Sequence, residues 1–106
     1  MLRLRELAIG VVISSMDRDP LQNIFRSPGR YRVLKYLLAK GGGNITRISR
    51  EINLSHNLVK KYLEEMKEIG LVEEIRIGRT RYFIPVWSDV RVRLIKDLIE
   101  SQERRA

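Results

Sequence analysis

The sequence predicts a mainly α-helical fold with one small β-hairpin. Three observations predict it. Apolar residues recur at three- and four-residue spacing in several separate stretches of the 106-residue chain, the spacing that places them on one face of a helix. Most of these stretches carry a capping residue at the start or glycine just past the end, as helix ends require. Only two short runs, 71–77 and 81–85, read as strands, and Gly78-Arg79-Thr80 between them makes a hairpin turn. A chain of this length forms one domain, or one domain with helical extensions.

Residues 2–14 place Leu4, Leu7, Ala8, Val11 and Val12 at the i, i+3, i+4, i+7, i+8 positions of an amphipathic helix. Gly10 and the β-branched run Val11-Val12-Ile13 pull the same residues towards strand. Asp17 to Pro20 reads as a turn, and Asp19-Pro20 starts a short helix over 20–25. Ser27 caps the next helix, and Pro28 takes its first position, where the missing N–H would be unbonded in any case. Val33, Leu34, Leu37 and Leu38 then line one face up to Lys40, and Gly41-Gly42-Gly43 ends the helix. No Gly-Lys-Ser/Thr follows, so these glycines form a flexible connector rather than a phosphate-binding loop.

Thr46 begins a short helix through Ile52, with Ile48 and Ile52 inward. Asn53-Leu54-Ser55 is a tight turn, and Ser55 caps a longer helix over 56–69 that Gly70 stops. After the hairpin, Ser88 caps a last helix to about Gln102, with an apolar stripe of Val90, Leu94, Ile95, Leu98 and Ile99. Helix, short helix, three-residue turn, longer helix and hairpin make up the plan of a winged helix-turn-helix, here with N- and C-terminal helical extensions. The expected divisions are an N-terminal extension at 1–26, the winged helix-turn-helix at 27–86, and a C-terminal helix at 87–106 serving dimerisation.

Composition narrows the function. Hydrophobic residues make up 43% and charged residues 32%, which suits a folded soluble chain. No apolar run approaches the roughly 20 residues that span a bilayer, and Glu6 interrupts anything resembling a secretory signal. The expected location is the cytoplasm, with no membrane partner. The chain has no cysteine, which removes disulfides, thiolate metal sites and cysteine nucleophiles together. Its net charge of +8 favours a polyanionic partner, because each phosphate neutralised by Lys or Arg releases condensed counterions.

The bihelical unit gives that charge a direction. On helix 56–69, Leu58, Val59, Tyr62, Leu63, Met66 and Ile69 form an apolar face. The opposite face shows His56, Asn57, Lys60, Lys61 and Glu64 near the N-terminus, where unbonded N–H groups favour phosphate. Glu65, Glu68, Glu73 and Glu74 fall late on the helix and early on the first strand, whereas Arg79 and Arg81 fall at the hairpin tip. Charge is thus separated between the end that would meet DNA and the end that would not.

From Ser27 to Pro85 the chain resembles winged helix-turn-helix regulators of the ArsR and MarR type, especially small archaeal members. The matching pieces are Arg30-Tyr31-Arg32-Val33-Leu34-Lys35-Tyr36-Leu37, Leu54-Ser55-His56-Asn57-Leu58-Val59-Lys60-Lys61-Tyr62-Leu63, Ile69-Gly70-Leu71-Val72 and Ile77-Gly78-Arg79-Thr80-Arg81-Tyr82-Phe83. The resemblance implies a DNA-binding transcription regulator. ArsR-type metal sensors commonly use cysteines, so a thiolate sensor is excluded here.

The expected function is sequence-specific binding of double-stranded DNA. Helix 56–69 would enter the major groove, and the wing at 75–84 would reach the adjacent backbone or minor groove. The expected contacts are Ser55, His56, Asn57, Lys60, Lys61, Arg79 and Arg81. The expected homodimer contacts are Leu4, Leu7, Val11, Leu94 and Leu98. Tyr62 is expected at the core edge, and Trp87 between the last helix and the body. His56 is the single histidine and has no acidic cluster around it, so no metal is expected. No serine shows a histidine–carboxylate set, so no catalytic residue and no cofactor is expected. A winged helix serving as a protein-interaction module of a transcription or replication assembly is the alternative, and the mostly polar, basic face of helix 56–69 weighs against it. RNA binding ranks lower, since no sheet face carries an aromatic platform.

Overall fold

The computed structural model describes residues 20–105. The segment expected over 2–14, with Leu4, Leu7 and Val11, lies outside the described residues. The described elements are α1 (Pro20–Arg26), α2 (Pro28–Lys40), β1 (Gly43–Asn44), α3 (Ile45–Ile52), α4 (His56–Glu68), β2 (Val72–Ile77), β3 (Thr80–Pro85) and α5 (Val90–Arg105). The fold is mainly helical with a β-hairpin wing, as the pattern predicts.

Local chemistry sets most of the boundaries. The Ser27 hydroxyl accepts from the Arg30 N–H at 3.2 Å and opens α2. Gly41, at φ 85°, closes it by donating to the Leu37 carbonyl. α3 starts one residue before Thr46, because Asn44 caps it by accepting from the Arg47 N–H at 2.8 Å. α4 ends at Glu68, and Gly70 turns the chain at φ 83°. Asp89, not Ser88, opens α5: its Oδ1 accepts from the Arg91 N–H at 2.8 Å and its carbonyl from the Arg93 N–H. A carboxylate at this position also complements the positive end of the helix. α5 runs on to Arg105, past the expected end near Gln102.

The three strands form one antiparallel sheet in the order β1-β3-β2. Val72 pairs with Pro85 at the base of the hairpin and Ile77 with Thr80 at its tip. β1 falls where the sequence pattern predicts only a connector. Gly43 pairs with Phe83 and Asn44 with Tyr82, so the strand exists through its partner rather than through its own sequence. Glycine is needed on the way in: Gly42 sits at φ 143°, and a Cβ there would lie 2.7 Å from Ile84 Cγ2 and 2.8 Å from the Phe83 carbonyl oxygen.

The core joins every layer. Val33, Leu34 and Leu37 of α2, Ile48 of α3, Val59, Leu63 and Met66 of α4, and Phe83 of β3 are essentially sealed from solvent, and among the described residues no polar side chain is buried with them. Leu58, expected on the inner face of α4, is 39% exposed instead. It neighbours Val59 in sequence, and a step of one residue turns about 100° round a helix. The same geometry splits the stripe expected on α5. Val92, Ile95 and Ile99 are buried, whereas Val90, Leu94 and Leu98 are more than half exposed. Two apolar rows one residue out of phase cannot both face one body. Trp87 is 40% exposed; it meets α5 through the Lys96 ammonium, 5.8 Å from its ring centroid. Tyr62 lies at the core edge as expected, with the Arg30 guanidinium 4.5 Å from its ring centroid.

Candidate nucleic-acid interface

The turn between α3 and α4 is held by backbone and side chain together. Asn53 adopts the left-handed conformation at φ 56°, one that Asn tolerates better than most residues. The Leu54 N–H donates to the Ser49 carbonyl at 3.1 Å, and the Ser49 hydroxyl donates back to the Leu54 carbonyl. Ser55 then caps α4 by accepting from the Leu58 N–H at 3.1 Å. α3 is also tied to α2. The Tyr36 hydroxyl donates to Glu51, and Arg32 donates to the Ile52 carbonyl. The hydrogen bond from Tyr36 holds the Glu51 carboxyl below its ordinary value, and burial foremost raises the tyrosine.

With its apolar side anchored, α4 leaves His56, Asn57, Lys60 and Lys61 exposed. His56 and Lys60 are one helical turn apart and share a row; Asn57 and Lys61 form the next. Gly78 and Arg79 turn the hairpin, and Arg79 is exposed at its tip.

Between α3, α4 and the hairpin runs a groove of about 560 Å³. It is lined by Asn44, Ile45, Thr46, Arg47, Arg50, His56, Lys60, Arg79, Thr80 and Arg81. Five of these ten residues are Lys or Arg and none is acidic, so the groove presents one sign of charge. Arg50, Lys60, Lys61 and Arg79 have no carboxylate within 4.0 Å among the described residues, and Arg47 reaches Glu51 only at 3.8 Å.

The structure therefore brings together His56, Lys60, Arg79 and Arg81 of the expected set. Ser55, Asn57 and Lys61 lie on the exposed front beside the groove, and the Ser55 hydroxyl is engaged as a cap. Asn44, Thr46, Arg47 and Arg50 join them unforeseen. The available signal was the basic pair Arg47 and Arg50, three residues apart on the polar side of a short helix that the motif places beside α4.

No carboxylate lines the groove, although Glu64 and Glu74 both reach its Arg81 from outside the lining. Glu65 accepts from Arg30 at 2.7 and 3.1 Å, and that hydrogen bond holds its carboxyl below the ordinary range. Glu74 accepts from Arg81 and from Lys67, which together bring it down to about 2. Arg81 is thus the exception among the groove cations, because its guanidinium is already occupied. Among the described residues no three His, Asp or Glu side chains are grouped to hold a metal ion, and no helix is long and apolar enough to cross a membrane.

A bihelical unit backed by a three-helix core and flanked by a basic hairpin defines a winged helix-turn-helix protein. A family model described as winged helix-turn-helix matches residues 30–84, and the chain belongs to that family. No curated protein matches it by sequence. Solved structures share the fold. HlyU from Vibrio cholerae superposes at a TM-score of 0.68 with 18% identity, covering 84% of this chain and 94% of that one. The transcriptional repressor PagR of Bacillus anthracis gives 0.65 with 22% identity over 83% and 98%. A homodimeric winged helix-turn-helix DNA-binding domain from Mycobacterium bovis gives 0.65 with 19% identity over 90% and 83%. At these identities the likeness is one of fold.

Proposed function

We propose that this protein is a sequence-specific, double-stranded DNA-binding transcription regulator acting in the cytoplasm as a homodimer. The observation that carries the reading is the groove lined by cations of three elements with no carboxylate among them. A polyanion that follows its curve is the partner such a surface fits. In this reading α4 enters the major groove. His56 and Asn57, in its first turn, meet base edges, and Ser55 sets the entry of that turn. Lys60 and Lys61 meet phosphate or base edges. The wing, 75–84, lies on the adjacent backbone or minor groove with Arg79 foremost. Arg47 and Arg50 extend the phosphate contacts along α3.

The dimer reading rests on α5, whose Val90, Leu94 and Leu98 present an apolar row to solvent. In this reading Leu94 and Leu98 form the centre of the contact, and Leu4, Leu7 and Val11 contribute from the N-terminal segment. Two copies related by a two-fold axis would then offer two α4 helices to half-sites about 34 Å apart.

A titration against DNA from upstream of the protein's own coding region, with random duplex as competitor, tests the function. Tight binding that survives competitor is expected. Asn57→Ala should lose affinity for the specific duplex while keeping its affinity for random DNA. Equal losses on both would remove the base-reading role, and failure of the intact protein to prefer any duplex would remove the function.

A further inference from the structure

Arg81 lines the groove, yet its bonds point the other way. Its Nε donates to Glu74 Oε2 at 2.7 Å and its Nη2 to Glu74 Oε1 at 2.9 Å, a two-pronged pairing within the hairpin. The same Nη2 also donates to Glu64, on α4. Glu74 in turn accepts from Lys67 of α4 at 3.0 Å. Glu64 and Lys67 are three residues apart, so they leave α4 from one face. Two residues of α4 and two of the hairpin are thereby joined crosswise. The Arg81 guanidinium also lies 5.2 Å from the centroid of the Phe83 ring, whose own side chain is fully buried.

We infer that this four-residue clamp is a positioning device for DNA recognition. It holds the wing at a fixed angle to α4, so that Arg79 and the His56–Lys60 row engage one duplex together. Arg81 acts through Glu64 and Glu74 and makes no phosphate contact of its own. Three observations support this over a direct contact. The Glu74 side chain is only 11% exposed and takes both prongs of the guanidinium. The fork fits a carboxylate as well as it fits a phosphate, so DNA offers Arg81 no gain that offsets giving up two partners. Finally, the clamp's two carboxylates cancel Arg81 and Lys67, with Arg76 a looser neighbour of Glu74 at 3.7 Å, so these four charges add nothing to counterion release. It instead neutralises Glu64, a carboxylate that would otherwise repel the backbone beside Lys60.

The inference rests on the DNA-binding reading, and Glu74→Gln separates the two by the sign of its effect. The substitution removes a negative charge near DNA and breaks the two-pronged pairing. If the clamp positions the wing, affinity for the specific duplex falls about tenfold, although the substitution leaves one more net positive charge beside the duplex. If Arg81 is instead a latent phosphate contact, affinity rises and the slope of log K against log salt steepens by about 0.9. That result overturns the inference, as does unchanged affinity. Arg81→Lys gives the same test without changing charge, since an ammonium cannot make the paired fork. It should show the same loss at the wild-type slope, and wild-type affinity in this variant also overturns the inference.

Failure of the clamp is readable without DNA. Residual dipolar couplings of the free wild-type protein should fit α4 and the hairpin with one alignment tensor. In either variant the hairpin should need a second, smaller one. One shared tensor in a folded variant refutes the clamp whatever the DNA titration shows, whereas a clamp that holds in a protein binding no duplex refutes only the DNA-binding reading.

Discussion

Lys60, Lys61 and Arg79 owe their candidacy to what they lack. Each is exposed, and none has a carboxylate within ion-pair distance among the described residues. An exposed, unpaired cation has no carboxylate partner to give up when it meets phosphate. The double variant Lys60→Ala/Lys61→Ala should therefore weaken duplex binding and flatten its salt dependence by roughly 0.9 for each phosphate left without its cation. Fluorescence anisotropy between low and moderate salt measures this, and an unchanged slope would remove both lysines from the interface. Arg79→Ala should lower affinity with little effect on the melting temperature, because a side chain at a hairpin tip has no core packing to lose. Calorimetry alongside the titration separates the two effects.

Glu74 represents the opposite case at the same scale. Hydrogen bonds from Arg81 and Lys67 bring its pKa from an ordinary 4.5 to about 2. A pKa depressed by folding means that the stabilisation is fully present above about 4.5 and is lost as pH falls towards 2. The wing should accordingly keep its order from neutrality down to about pH 5. Melting temperatures recorded at pH 7, 5 and 3 should show a loss confined to the last step, and Glu74→Gln should shrink that loss.

At the scale of elements, each part of the bihelical unit is secured by a small group at its end. The Ser55 cap satisfies one of the N–H groups that α4 leaves unbonded. Ser55→Ala should cost about 1 kcal/mol in chemical denaturation. Glycine secures the third strand. Gly42→Ala meets both a disfavoured φ and the β3 backbone, and should cost about 2 kcal/mol. Gly41→Ala meets open space and only the left-handed φ, so its cost should be nearer 1 kcal/mol. Equal melting temperatures for the two alanine variants would show that the approach to β3 is not what requires glycine at 42.

At the scale of the whole molecule, α5 has more apolar surface than the body can cover. Val92, Ile95 and Ile99 face inward, while Val90, Leu94 and Leu98 stand 57%, 62% and 54% exposed. Burying such a row against a second copy stabilises the pair by roughly 25 cal/mol for each Å² of apolar surface removed from water, before the cost of association. The intact protein should scatter light as a dimer at micromolar concentration. Leu94→Glu/Leu98→Glu should be monomeric, should keep a folded core, and should lose preference for a two-half-site duplex. A monomeric wild type would remove the dimer, and a dimeric variant would move its contact elsewhere.

Much of this protein was determined by local sequence alone. Ser27-Pro28, Ser55 and Gly70 mark helix ends whose chemistry is complete within a few residues. The Val33-Leu34-Leu37-Leu38 face, the Asn53-Leu54-Ser55 turn and the hairpin around Gly78 were legible for the same reason. His56, Lys60 and Arg79 could be nominated once those elements were in order. Tertiary structure decided what local patterns leave open. β1 depends on pairing with Phe83 and Tyr82, so the Gly43-Asn44 sequence does not announce it. Of the two apolar rows on α5, only packing selects the one that faces the body. Arg47 and Arg50 became groove residues because the fold brings α3 beside the wing. Arg79 and Arg81 are two residues apart and look alike in sequence. Glu64 and Glu74, reaching Arg81 from separate elements, leave one guanidinium unpaired and hold the other.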